Sequence, residues 1–369
     1  MFSANSKDSN RNESGVALIL ALLFVVLLTV IVVDFSYDMQ VEATLIQHES
    51  SGFEAYIAAR SAVAQSLGVL AADVLLGEDV ADAFDVGLYD GLDEPWAEGL
   101  LLTPINDALM QSGIDDEYGK INLNALIYVN PQSGDEEQNT TLIAALQFMM
   151  DARGAEVNPV NAILDWLDSD DDPWLDGAES DYYSGLKTPY APKNGPMDSL
   201  EELLLVAGMT PELFFGDPKE GQLPLSELLT VHGHPRGTVN INTARREVLV
   251  AVLAGDGNFP QPIDTAESIW NRIENQGPYT TVEELRSDNL LPQPSQEDTG
   301  GSRPGPTSGQ QSSNSQQPAL FGVGSEVFRI RGDGQSGEHL TRIEAFVWRD
   351  TYASGSEEMF RILDWRVVR

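Results

Sequence analysis

The chain has 369 residues, with 21 Lys and Arg against 58 Asp and Glu and a net charge of −37, so it lacks the cation excess of a protein that grips nucleic acid by its phosphates. Cysteine is absent, which excludes disulfides, thiolate nucleophiles and Cys-ligated zinc or iron–sulfur centres. Hydrophobic content of 42% with 32 Gly is that of globular material, and the length fits two or three domains.

The first predicted element is apolar. Val16 to Val33 runs 18 residues without a charge, with Thr29 the one polar side chain. As a helix it reaches about 27 Å at ~1.5 Å per residue, close to the hydrocarbon thickness of a bilayer. A cleaved secretory signal has a shorter apolar core and a small-residue cleavage site, whereas this run exits directly into Asp34, Asp38 and Glu42. Lys7 and Arg11 precede it, which places the N-terminus in the cytoplasm and the bulk outside. A membrane-anchored, exported protein is the reading. Beyond the span, Val41, Leu45, Tyr56, Ala59, Val63, Leu67 and Leu70 recur at intervals of mostly three or four, one stripe on a helical surface. The helix is therefore predicted over residues 16–75.

From Leu70 to Asp116 the signals are mixed, and the stretches YDGLDEPW and LLTPIND read as loops and turns. In DDEYGKINLNAL, Gly119 marks a turn and Ile121, Leu123 and Leu126 are candidate inward positions. A helix is predicted from Asn139 to Arg153, followed by an acidic segment from Asp165 to Asp181. Two helical stretches come next. Ser199 has Glu202 three residues on, the spacing of a capping box, and Thr243 precedes an amphipathic run. A further helical stretch runs from Glu267 to Leu291. Residues 292–318 contain no apolar side chain and read as a flexible linker. The closing stretches SEVFRIRG, HLTRIEAFVWRD and MFRILDWRVV alternate with period two between Gly- and Ser-rich turns, which predicts three antiparallel strands.

The acidic segment DWLDSDDDPWLDGAESDYY invites a metal comparison. EF-hand loops place oxygen ligands at positions 1, 3, 5, 7, 9 and 12. Asp168, Asp170 and Asp172 fall on the first three, the Trp174 carbonyl on the fourth, and Asp176 and Glu179 on the last two. Pro173 replaces the turn glycine and no obvious helix follows Glu179, so this is calcium-like spacing rather than an EF-hand. Asp165 and Asp181 complete the candidate set. The hard oxygen donors suit calcium, not zinc; a solvated acidic loop is the alternative reading.

Elsewhere, His232-Gly233-His234 beside Pro235 reads as a surface turn. NINTARREVLVAVLAGDGNF is similar to a helix-hairpin-helix unit, but Asp256 in its turn would repel a phosphate, so the unit reads as structural, with no nucleic-acid partner. No nucleophile-elbow, zincin or phosphate-loop motif is present, and no enzyme is expected.

The sequence NESG followed by VALILALL resembles a prepilin leader site, and YGKINLNAL, ILDWLDSDD, GAESDYY, LKTPYAPKNGPMDSLEELLLVAGM and VNINTARREVL resemble the minor pseudopilin K family of type II secretion systems. The resemblance implies cleavage by a prepilin peptidase after Gly15, exposing Val16. Leu20 stands where most pilins carry Glu, an absence characteristic of the K subunit. The implied fold is α+β: a long N-terminal transmembrane and amphipathic helix packed on an antiparallel β-sheet, with a large inserted all-α domain. The implied divisions are a leader at 1–15, the helix at 16–75, a head from 76–125 and 319–369, and the insertion at 126–291. The resemblance also implies bound calcium, I- and J-type pseudopilin partners, an inner-membrane anchor with the bulk in the periplasm, and a place at the tip of a pseudopilus. A membrane-anchored calcium-dependent periplasmic hydrolase and a minor pilin of a DNA-uptake system are the alternative readings.

Overall fold

A computed structural model describes residues 10–84, 89–130, 133–290, 320–351 and 359–368. The predicted linker at 292–318 and the start of the leader lie outside these residues.

Helix α1 spans Asn10–Phe84, longer at both ends than predicted and continuous through Gly15. Its lower half touches nothing: every residue from Val16 to Val33 is exposed. Among the described residues it is the one helix both long and apolar enough to cross a membrane. The predicted stripe packs only from Tyr56 upward; Ala59, Val63 and Leu70 are buried while Val41 and Leu45 stay exposed.

A short helix α2 (Pro95–Glu98) leads to β1 (Leu100–Ile105) and β2 (Ala108–Asp116). The stretch read as a loop at LLTPIND is thus a strand and its tight turn. Its register shift between Leu100 and Thr103 and Pro104, which has no N–H for a ladder, erase the alternation that marks a strand. Then follow β3 (Ile121–Asn122), β4 (Ile127–Val129), β5 (Glu136–Gln138), α3 (Thr140–Ala152), α4 (Val160–Leu167), α5 (Ser180–Ser184) and α6 (Pro211–Phe215). The capping-box stretch after Ser199 forms a 3₁₀ turn, Leu200–Leu205, and Glu202 accepts a hydrogen bond from the Ser199 N–H at 3.2 Å. Strands β6 (Leu229–Thr230) and β7 (Val239–Asn240), helices α7 (Arg246–Asp256), α8 (Pro262–Gln276) and α9 (Val282–Ser287), and β8 (Phe321–Gly322) complete this helical layer. The chain closes with β9 (Val327–Ser336), β10 (His339–Arg349) and β11 (Phe360–Val368).

The main sheet has the order β1-β2-β9-β10-β11, each pair antiparallel. Its outer strands thus come from either side of the helical layer, and the helices are an insertion between β2 and β9. Alternation assigns the two faces. Phe328, Ile330, Gly332 and Gly334 of β9 face α1, whose Ala55, Ala58, Ala59 and Ala62 are buried against the sheet. Small residues on both sides let helix and sheet approach closely: a Cβ at Gly334 would collide with the Ala55 carbonyl oxygen and the Ala59 nitrogen. Arg329, Arg331 and Asp333 point to the opposite face, where the helical layer packs.

Two cores result. One lies between α1 and the sheet, around Val63, Leu70, Trp96, Phe328 and Ile343. The larger one fills the helical layer; it begins at Ile121 and takes in Phe321 and Val323, so it reaches beyond residues 126–291 on both sides. Asp116 ties the layers together. Its carboxylate accepts from Thr243 Oγ1 at 2.5 Å, Ser325 Oγ at 2.6 Å, Asn240 Nδ2 at 2.9 Å and the Tyr118 N–H at 2.8 Å. Burial pushes this carboxyl up and the four donors oppose the shift.

Candidate functional site

The acidic segment starts inside a helix. Nearly every residue of α4 is buried, and Asp165 on its last turn is fully enclosed. Its two oxygens accept the backbone N–H groups of Trp174, at 3.0 Å, and Ala178, at 2.5 Å. Gly177 lies so close that any Cβ would overlap the Asp165 carboxylate. Asp165 therefore folds the loop back onto α4. Behind it, the Trp166 and Tyr183 rings meet edge-on at 5.5 Å, and Tyr183 accepts the Ala207 N–H at 3.2 Å. Of the aromatic residues that flank the loop, Trp166 and Tyr183 are buried, whereas Trp174 and Tyr182 are exposed.

Asp168, just past α4, converges with Asp170 and Glu179: one oxygen from each lies within 4.8 Å of the others. Two calcium–oxygen bonds of ~2.4 Å span at most about 4.8 Å, so the three oxygens are close enough for small side-chain movements to bring them onto one ion. Asp168 and Glu179 are buried, and Asp168 Oδ1 and both Glu179 oxygens have no hydrogen-bond partner. Burial, then the charges of Asp165, Asp168, Asp171 and Asp170, push the Glu179 carboxyl up to about 7. Burial and Asp170 raise Asp168 to about 6. Buried, unmatched carboxylate oxygens are costly unless a cation or proton meets them. This donor set, all oxygen, fits a hard divalent cation.

The remaining candidates do not join that group. Asp172, Asp176 and Asp181 are exposed; the Asp172 N–H donates to Asp170 at 2.9 Å, and Asp176 adopts a φ of 61° at the loop tip. The Trp174 carbonyl accepts the Gly177 N–H at 2.8 Å, which spends it on the turn. Contrary to the sequence reading, a helix does follow Glu179, the five-residue α5, whose N-cap is Glu179 itself. Two residues escaped sequence reasoning. Asp171 accepts the Ser180 N–H at 3.2 Å, and the Ser180 side chain and then this N–H lower its carboxyl. Glu136 reaches in from β5 to accept the Ser169 N–H at 3.4 Å and adds its charge against Asp168; nothing near the loop in sequence points to it.

A second acidic group, Asp73, Asp90 and Glu94, has its cation built in. Arg349 lies 2.9 Å from Asp73 and 2.5 Å from Asp90. The histidine cluster makes a turn, with His234 Nδ1 accepting the Arg236 and Thr238 N–H groups. Arg245 and Arg246 are spent on Glu227 and, at 2.5 Å, on Glu267. Of the residues expected to act in the membrane, Gly15, Val16 and Leu20 all lie on the bare lower half of α1, exposed.

Comparison with known proteins agrees with this anatomy. Residues 119–215 match the family described as type II secretion system (T2SS), protein K. The chain is 29% identical over 255 residues to type II secretion system protein K of Aeromonas hydrophila, covering 67% of this chain and 72% of that one. It is 28% identical over 211 residues to the protein of the same name from Klebsiella pneumoniae, covering 56% and 61%. In three dimensions it resembles a chain of the GspK-GspI-GspJ complex from the enterotoxigenic Escherichia coli type 2 secretion system, with a TM-score of 0.57 at 16% identity over 89% of this chain and 99% of that one.

Proposed function

We propose that this chain, which belongs to the type II secretion system protein K family, is a minor pseudopilin that caps the pseudopilus with an insertion stiffened by calcium. The observation that carries the reading is the division of α1. Its upper half is seated on a five-stranded antiparallel sheet and its lower half is bare and apolar. A surface of that kind has to be covered by lipid or by other helices.

The tip position follows from Leu20. In filament packing, a carboxylate at that place would neutralise the N-terminal amine of a neighbouring subunit. A subunit with no neighbour beyond it has no amine to meet, and a buried carboxylate without a partner costs several kcal/mol (about 3–5 when a buried pair is broken). Leucine avoids that cost. The bulk of the inserted helical layer supports the same position, because a large head fits the end of a thin filament better than its shaft. I- and J-type pseudopilins are the partners, the inner membrane holds the helix before assembly, and the head lies in the periplasm.

Asp168, Asp170 and Glu179 would hold the calcium ion. The ion supplies positive charge to unmatched carboxylates and links the end of α4 to the start of α5; it takes no part in any reaction. Processing is tested by intact-mass measurement of the protein purified from membranes. Cleavage after Gly15 leaves Val16 as the first residue, whereas a mature chain that retains Met1 contradicts the pilin-like reading.

A further inference from the structure

The main sheet has two edges, and they differ. The outer edge of β1 is short and irregular: six residues, interrupted by the register shift between Leu100 and Thr103 and by Pro104. Proline and irregular pairing are the usual means of blunting a sheet edge against strand addition. The edge at β11 also has one register shift, against β10 between Phe346 and Val347, but it has no proline or lysine and runs nine residues, about 30 Å at ~3.3 Å per residue. Among the described residues no strand pairs with its outer side.

The side chains of β11 reinforce the difference. Ile362, Leu363, Val367 and Val368 are exposed, while Phe360 and Trp365 are only partly covered by the core beneath α1. This strand is therefore apolar on its surface as well as unpaired at its edge. Two of its three charged groups are engaged within the protein, and Arg361 is exposed. Asp364 pairs with Arg366 at 2.5 Å, and Arg366 also reaches Glu201 of the insertion at 3.2 Å. Arg361 lies over the Trp348 ring at 5.2 Å and has no carboxylate partner among the described residues. In a chain of net charge −37, this strand carries two arginines against one aspartate.

We propose that the outer edge of β11 is a docking site for an extended strand of a neighbouring pseudopilin head, one that is apolar and places a carboxylate opposite Arg361. The unpaired backbone N–H and C=O groups call for a strand, because only a strand meets them at the right repeat. The exposed aliphatic side chains call for apolar residues on it, and Arg361 sets its charge. A second copy of this chain is disfavoured, since two bodies of charge −37 repel. The proposal rests on the pseudopilin reading, from which the partner is taken.

Hydrogen exchange read by mass spectrometry tests it, on the full-length protein in detergent, alone and co-purified with I- and J-type pseudopilins. In the free protein the outward N–H groups of residues 360–368, about every other one in an antiparallel edge, exchange quickly. In the complex they slow at least tenfold, while residues 100–105 are unchanged. Arg361→Glu lowers the recovered complex several-fold, and Leu101→Glu on the opposite edge does not. A complex that forms without slowing exchange in 360–368 overturns the docking site and leaves the pseudopilin reading standing. Failure of any complex to form overturns both. Protection already present in the isolated protein and lost on dilution makes the occupant a second copy and also overturns the proposal.

Discussion

The guanidinium of Arg349, on the last residue of β10, donates to the carboxylate of Asp73 in α1 at 2.9 Å. The same group meets Asp90 at 2.5 Å and the Ser325 carbonyl at 3.0 Å, and lies 4.6 Å from the centre of the Phe328 ring. One buried side chain thus fastens the upper part of the long helix, the connection that follows it and the entry to β9.

Removing the cation leaves two carboxylates in a low-dielectric site. Arg349→Met is expected to destabilise the head by about 3–5 kcal/mol, the range for breaking a buried ion pair from one side. Denaturant unfolding of the purified protein in detergent, followed by tryptophan fluorescence, measures it. Asp73→Asn should cost less, because Asp90 and Ser325 continue to satisfy the guanidinium.

The same joint carries a pH dependence. Burial, then the charge of Asp73, pushes the Glu94 carboxyl from its ordinary 4.5 up to about 8. The folded state holds the proton more tightly than the unfolded chain, so the stability it contributes is full below about 4.5 and is lost as pH rises through about 8. Asp90, raised to about 6 mainly by burial, acts in the same direction. Thermal midpoints are expected to fall between pH 6 and pH 9, with a shallower fall in Glu94→Gln. An unchanged slope in that variant would place the dependence elsewhere.

Close seating of α1 on β9 depends on missing side chains. Gly334→Val forces a branched side chain against the backbone of Ala55 and Ala59. Overpacking of this kind typically costs about 1–3 kcal/mol, and because the obstacle is helix backbone the effect should sit at the upper end. Loss of protease resistance in the region around α1, along with a lower unfolding midpoint, reports it.

Calcium is expected to raise the unfolding midpoint, and a chelator to lower it. A ligand bound only by the folded state contributes about 2.7 kcal/mol at a hundredfold excess over Kd. Glu179→Gln and Asp168→Asn should abolish the difference between calcium and chelator. Asp172→Asn and Asp181→Asn, at exposed positions outside the converging group, should retain it. Equal midpoints for the unmodified protein in calcium and chelator, with no metal by elemental analysis, would remove the ion.

The parts legible in sequence were those with a local period. Strand β10 alternates between buried and less buried positions, the pattern its sequence shows, whereas β9 is buried along most of its length and β11 does not alternate in burial; Ile121, Leu123 and Leu126 are all fully buried. Strand β1 hides because a bulge and Pro104 break its alternation. The convergence of Asp168, Asp170 and Glu179 was readable, since those carboxylates are close in the chain. The bracing role of Asp165 was not, because it arises only when the loop returns to α4. Glu136 and the Asp73–Arg349 pair were invisible for the same reason: partners distant in sequence leave no pattern until the fold brings them together. The lower end of the predicted stripe stays unpacked for a different reason. Val41 and Leu45 have the right spacing to pack, yet among the described residues nothing in the head covers them.

Imaging of assembled pseudopili tests the central claim most directly, with the protein tagged in its inserted helical layer and expressed with the rest of the secretion apparatus. The account predicts one copy at one end of each filament, joined to I- and J-type subunits and with no pseudopilin beyond it. Tagged copies repeated along the shaft, with neighbours on both sides, would contradict it.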